Sequence, residues 1–176
     1  MIFVETKLTG AYLVKLEPHE DERGFFALSW SEKDFAERGL ESRVVECNVS
    51  FNRKKGTLRG MHYQAAPYSQ VKLVRCTRGA IFDVIVDLRP KSTTFKQWLG
   101  FELSAENHHA LYIPRDFAHG FQTLTDEAEI FYQMSDPFVP GSGRGVRWND
   151  PAFGIDWPAD ARIINQRDAD YPDFAK

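Results

Sequence analysis

The chain has 176 residues, 43% of them apolar and 14% aromatic, and a formal net charge of −3. That is enough apolar material for a single domain over residues 1–176 with a core of its own, and too much for a disordered chain. Without a dense Lys/Arg block, binding to nucleic acid is not expected. No apolar run approaches the roughly 18–20 residues of a membrane span, and the opening MIFVETKLTG has no basic region leading into a long apolar one. Cys47 and Cys76 form no CxxC pair, so they are expected to be two buried thiols in a reducing cytoplasm.

In chain order, SEKDFAERG (31–39) is the only stretch that reads as helix. Ser31 is placed as its N-cap, with Asp34 three residues on, and Gly39 as its C-terminal stop. From there the dominant period is two. GMHYQ (60–64) puts His62 and Gln64 on one face, opposite Met61 and Tyr63. VKLVRC (71–76) puts Lys72 with Val74. AIFDVIVDLR (80–89) alternates Phe82, Val84, Val86 and Leu88 against Asp83, Ile85 and Asp87. WLGFEL (98–103), ALYIP (110–114), GFQTL (120–124) and EIFYQM (129–134) read as further short strands, separated by turn signals such as TRGA and RPKST. His119 is placed between the Pro-bearing turn of IPRDFAHGF and the strand that follows. In EIFYQM, Tyr132 shares an inward apolar face with Ile130 and Met134. Many short strands and one short helix predict a mainly β sandwich, jelly roll or barrel. From Pro137 the chain turns rich in Pro, Gly and Trp, a composition expected of an ordered segment that wraps the barrel and buries its aromatics.

Polar residues inside strands carry the chemistry, because a barrel strand sends alternate side chains inward. Here they are His62, Lys72, Tyr132, His119 and several arginines, drawn from different strands. Each has a plainer alternative: Lys72 snorkelling to the rim, Tyr132 an ordinary core tyrosine, His62 a packing histidine. Two histidines in a small barrel suggest the cupin superfamily, whose metal sites use HxH, a Glu and a later His. In this chain HxH has become His62-x-Gln64, and AAPYSQVK supplies Lys72 where a Glu is expected. Two imidazoles facing an ammonium are a poor divalent-metal site, so no metal is expected. The same set suits proton chemistry: a neutral His as base, a Lys to stabilise an oxyanion, and a Tyr to return a proton next to a carbonyl.

DERGFF (21–26), NVSFNRKKGTLRGMHYQ (48–64), RGAIFDVIVDLRPKSTTF (78–95), IPRDFAHGFQTL (113–124) and RWNDPAFGIDWP (147–158) closely resemble the dTDP-4-dehydrorhamnose 3,5-epimerase family. The resemblance runs in order over nearly the whole chain. It implies a cupin-type jelly roll, a homodimer, no metal or other cofactor, and a nucleotide-linked 4-keto-6-deoxyhexose as substrate in deoxysugar synthesis. Carried over by position, it implies His62 as base, Asp168 in NQRD as the carboxylate that orients it, Lys72 near the keto oxygen and Tyr132 as proton donor. Arg23, Asn48, Arg59 and His119 match residues that hold the nucleotide diphosphate. Phe26, Glu46 and Arg167 fall in the substrate-binding shell, and Phe138 matches a stacking position where the family often has Tyr.

This chain departs from the family pattern at Leu28, Glu46, Gly143 and Arg167, where Glu, Gln, Glu and Lys are usual. All four positions belong to the nucleotide end rather than the reacting end. Arg59 stands three residues from His62, which in a regular strand would turn it to the opposite face; a bend at Gly60 would reconcile the two. Three functions remain in competition: an epimerase acting on one or both carbons beside the ketone, a non-catalytic sugar-nucleotide-binding cupin, and a metal-dependent cupin. The joint presence of base, acid and oxyanion donor favours the first.

Overall fold

The computed structural model of the chain describes residues 1–160 and 163–174. In order, its elements are β1 (Ile2–Glu5), β2 (Tyr12–Lys15), β3 (His19–Asp21), β4 (Gly24–Phe26), α1 (Glu32–Ala36), β5 (Glu46–Asn52), β6 (Leu58–Gln64), β7 (Lys72–Arg78) and β8 (Ala80–Asp87), followed by β9 (Trp98–Ser104), β10 (Ala110–Ile113), β11 (Phe117–Thr123), β12 (Ala128–Met134), β13 (Gly143–Gly145) and α2 (Gln166–Ala169). A six-stranded sheet, β1-β2-β10-β7-β12-β5, faces a five-stranded one, β13-β6-β11-β8-β9, while β3 and β4 form a separate hairpin. All strand pairs are antiparallel. This is the expected mainly β, cupin-type jelly roll.

Apolar side chains of both sheets meet inside the barrel. Val74, Cys76, Leu111, Ile113 and Ile130 from one sheet pack against Ile81, Ile85, Leu103, Phe117 and Phe121 from the other. The outer face of the six-stranded sheet is covered by α1, with Phe35 packed among Val14, Leu73, Ala110 and Tyr112. The outer face of the five-stranded sheet is covered by the segment after β13. There Val146 and Phe153, with half-buried Ile155, Trp157 and Phe174, close over Met61, Val84, Val86, Leu88 and Ala118. The aromatic-rich tail therefore wraps the barrel as its composition requires. Because the tail covers the all-apolar face of β8, the face bearing Asp83 and Ile85 turns into the barrel.

Helix α1 starts as expected, with the Ser31 hydroxyl accepting from Asp34 N at 3.2 Å. Its end is a Schellman-type turn: Gly39, at φ +68°, donates to Ala36 O, and Leu40 donates to Phe35 O. Three expectations need correction. A second helix, α2, forms over four residues, too few to show an apolar period; its local signal is Asn165, whose side chain caps Asp168 N at 2.8 Å. Cys47 is exposed rather than buried, because it lies on β5, the edge strand of its sheet, whereas Cys76 is buried as expected. Finally, β11 begins at Phe117 and all of its residues are buried, so His119 lies within a strand and not ahead of one.

Candidate active site

The polar cavity lies between the two sheets, beside the apolar part of the barrel interior. Its volume is about 280 Å³, and its wall includes Asn48, Arg59, His62, Lys72, His119 and Tyr132. The pairing register explains why these side chains converge. On the six-stranded sheet, Tyr132 is level with Asn48 on β5 and Val74 on β7, and Met134 is level with Lys72. On the five-stranded sheet, His62 is level with His119, and His119 with Ile85. One sheet thus contributes Asn48, Lys72 and Tyr132, and the other contributes Arg59, His62 and His119.

Arg59 and His62 share the cavity because β6 is irregular between them. His119 pairs with His62 and Phe121 with Arg59, so two steps along β11 oppose three along β6. Gly60 takes φ +135° at this point, and a Cβ placed on it would lie 2.5 Å from Gly120 Cα. The bend expected at Gly60 is therefore a bulge, and it requires glycine both for its dihedral angle and for the close approach of β11. Arg59 Nε donates to Asn52 Oδ1 at 2.7 Å, which fixes the guanidinium at the cavity rim.

The bulge also frees the Gly60 N–H, which donates to Asp168 Oδ2 at 3.1 Å. Asp168 Oδ1 accepts from His62 Nε2 at 2.7 Å and from Arg167 Nε at 3.3 Å. Asp168 is fully buried, and burial alone would raise its carboxyl. The bonds from His62, Gly60 and Arg167 outweigh that effect and hold it below the usual carboxylate range. With Nε2–H committed to Asp168, His62 Nδ1 is the ring nitrogen left with a lone pair, and among the described residues no group bonds it. The Tyr171 ring packs edge-on to the imidazole at 6.2 Å, and its closeness to Gly145 leaves no room there for a Cβ.

Lys72 Nζ donates to the His62 carbonyl at 3.3 Å. Burial pushes its ammonium down to about 8, against the pull of Asp83. Burial, reinforced by the charge of Asp83, pushes the Tyr132 phenol well up, so it stays protonated at any physiological pH. His119 donates from Nε2 to Asp83 Oδ1 at 2.8 Å, and its ring packs edge-on to Tyr132 at 6.1 Å. Desolvation lowers its pKa despite that carboxylate. Asp83 Oδ2 is buried with no partner among the described residues.

A second cavity of about 380 Å³ opens from the first, sharing His62, Lys72 and Met134 and bounded by Tyr63, Phe138, Arg167 and Tyr171. Phe138 and Arg167 stand in its wall, and Glu46, half-buried, accepts the Phe138 N–H at 3.3 Å. Of the residues expected at the site, only Arg23 and Phe26 fall elsewhere. They sit on the β3–β4 hairpin, where Arg23 is paired with Asp21 and Phe26 is 78% exposed, and they line neither cavity. Asp83 and Tyr171 were not expected. The signal for Asp83 was a carboxylate alternating with apolar residues in a strand buried on both faces; a loop tyrosine such as Tyr171 gives no such signal. Among the described residues no group of three or more His, Cys, Asp or Glu is arranged to hold a metal, and Gln64 spends its amide on backbone and Ser142.

Comparison with known proteins gives the family. The family model described as dTDP-4-dehydrorhamnose 3,5-epimerase matches residues 5–176. The dTDP-4-dehydrorhamnose 3,5-epimerase of Methanothermobacter thermautotrophicus is 44% identical over 172 residues, covering 96% of this chain and 92% of that one. The crystal structure of the Elizabethkingia anophelis enzyme of the same name superposes with a TM-score of 0.96 at 40% identity, over 99% of this chain and 96% of that chain. The Bacillus anthracis enzyme, solved with TDP and PPi bound, gives 0.94 at 40% identity, over 98% and 99%. The chain belongs to the dTDP-4-dehydrorhamnose 3,5-epimerase family of isomerases.

Proposed function

We propose that this chain inverts carbons 3 and 5 of a dTDP-linked 4-keto-6-deoxyhexose by removing and returning protons. The observation that carries the proposal is that base and acid stand on opposite sheets: His62 on β6 and Tyr132 on β12, with one cavity between them. A flat enolate held there meets a proton acceptor on one face and a donor on the other, and that is what inversion requires. The carbon 4 ketone acidifies the neighbouring C–H bonds. His62 Nδ1 takes the proton, and the electron pair moves onto the keto oxygen, where the Lys72 ammonium stabilises it. As the pair returns to carbon, Tyr132 donates its phenolic proton to the opposite face. The imidazolium and phenolate are then reset by proton exchange with solvent. Asp168 holds the Nε2–H tautomer that leaves Nδ1 free.

The inner cavity suits the hexose, with Arg59 and Asn48 in its wall for the diphosphate, and the adjoining cleft suits the nucleoside, with Phe138 stacked on the base. His119, which the resemblance assigns to the diphosphate, is buried beside Tyr132 and fits the sugar instead. Arg23 and Phe26 fit a role in a homodimer. Their hairpin is exposed, and Phe25, Phe26 and Leu28 together with Val45, Val49 and Phe51 around the β5 edge present apolar surface that a second copy would cover. Arg23 and Phe26 of one copy would then serve the site of the other. A cytoplasmic location, where sugar nucleotides are made, goes with this activity; no helix among the described residues is long and apolar enough to cross a membrane.

Incubating the protein with the dTDP-linked 4-keto-6-deoxyhexose and reading product stereochemistry by proton NMR tests the proposal. Inversion at both carbons is expected, and the rate should be unchanged after treatment with a strong chelator. Inversion at carbon 3 alone would narrow the activity to a single centre. Tight binding with no change in the sugar would contradict catalysis.

A further inference from the structure

Gln64 is nearly fully buried, and no step of the mechanism uses it. It occupies the place where a metal-binding cupin carries its second histidine, yet its amide is turned toward the loop that follows β12. Nε2 donates to the Pro137 carbonyl at 3.2 Å and to the Tyr68 carbonyl at 2.9 Å. Oε1 accepts from Val139 N at 2.9 Å, and the Ser142 hydroxyl lies 2.6 Å from both that oxygen and the Val139 carbonyl, donating to one of them. Both N–H donors of the amide are therefore used, and its oxygen is engaged by the loop. Between the two tethered residues stands Phe138, whose own N–H is held by the Glu46 carboxylate on β5. Three consecutive backbone positions are thus fixed by side chains from β6 and β5, while Phe138 itself is 61% exposed. The tethers therefore fix the backbone from which a largely exposed side chain projects.

We propose that Gln64 is a positioning residue for the nucleobase end of the site, acting with Glu46 to hold Phe138 in place across the cleft. It ties the base-stacking ring to the same strand that carries His62, two residues away, so that the distance between the stacked base and the reacting carbon is set by one strand. The proposal rests on the assignment of Phe138 as the stacking residue, made above. An exposed aromatic needs this kind of support, since a ring free to move with its loop would lose conformational freedom each time a base stacked on it.

The test is calorimetric titration of two probes, dTDP and inorganic pyrophosphate, into wild type, Gln64→Leu, Phe138→Ala and the double variant, with thermal melts to confirm folding. Gln64→Leu should weaken dTDP about ten-fold, within the range of a lost aromatic–base stack, and pyrophosphate less than about two-fold. The double variant should bind dTDP no more weakly than Phe138→Ala, because both changes remove the same stack. In turnover, Gln64→Leu should raise KM by about the same factor as it weakens dTDP, while kcat changes less than about two-fold. If Gln64→Leu does not fold, Glu46→Ala removes a single tether and should show the same selectivity with a loss of about three-fold. Equal losses for the two probes, additive losses in the double variant, or a fall in kcat matching the rise in KM would overturn the proposal. If Phe138→Ala itself leaves dTDP affinity unchanged, the stacking assignment fails and Gln64 loses this role with it. If Phe138→Ala weakens dTDP and Gln64→Leu does not, the positioning role alone fails.

Discussion

Two histidines in this barrel each bond a buried aspartate through Nε2, at 2.7 Å for His62 with Asp168 and 2.8 Å for His119 with Asp83. Both carboxylates are fully buried, and the two imidazoles are level with each other on adjacent strands. Solvent separates them. The His62 side chain is 33% exposed and stands where the two cavities meet, whereas that of His119 is 5% exposed at the cavity floor. The carboxylates also differ in their other partners: Asp168 accepts from Gly60 and Arg167 as well, while Asp83 keeps one oxygen unpartnered. The same dyad can therefore serve two purposes. With a base at the mouth, the carboxylate fixes a tautomer and supports the imidazolium that proton abstraction creates. At the floor, it supplies negative charge to a pocket that also holds Lys72 and Tyr132.

The largest effect should come from breaking the first pair. His62→Asn is expected to lower kcat by about 10²–10⁴-fold, the worth of a placed general base, and to leave dTDP affinity within about two-fold. Adding Asp168→Asn to that variant should cost little more, because the two residues act as one unit. Steady-state kinetics beside dTDP titration would read both; a loss as large from His119→Asn alone would exchange the roles of the two pairs.

Next in size is the cation between them. Lys72→Met should lower kcat about 10²–10³-fold, as removal of one oxyanion donor does. Because burial brings the Lys72 ammonium down to about 8, the charged form is present below that pH and lost above it. Activity of wild type should therefore fall as pH rises through about 8. A smaller effect sharpens the comparison. Asp83 opposes the effect of burial on Lys72, so Asp83→Asn should move the alkaline limb of kcat/KM to lower pH, whereas Asp168→Asn should lower the rate without moving that limb. A limb that stays in place in Asp83→Asn would remove Asp83 from the account of Lys72.

These residues were not equally legible in the sequence. Alternation alone turned Lys72 and Tyr132 inward, since each shares a strand face with apolar neighbours. Arg59 could not be placed that way, because its orientation depends on a bulge whose cause, contact between Gly60 and Gly120, lies on a strand distant in sequence. Asp168 lies 106 residues from His62, in a tail segment that α2 orients, so only motif resemblance could select it over Asp170. Asp83 was ambiguous for a simpler reason: β8 has two plausible buried faces, and which one meets the barrel is decided by the wrapping tail. The tail itself was readable as a cover, since its aromatics had to be buried somewhere, but a helix of four residues in it was not. Arg23 and Phe26 line neither cavity of the single chain, so alternation along its strands could not place them at the site.

The central claim is that His62 removes and Tyr132 returns the proton, from opposite sheets. It is tested most directly by incubating the nucleotide-linked ketosugar in deuterated water with wild type, His62→Asn and Tyr132→Phe, and following label and configuration at carbons 3 and 5 by NMR and mass spectrometry. Wild type should gain deuterium with inversion. Tyr132→Phe should exchange label faster than it inverts, because the base remains and the opposite-face donor is gone. His62→Asn should do neither at a measurable fraction of the wild-type rate. Deuterium entering at the wild-type rate in His62→Asn, or inversion without label in wild type, would contradict the account.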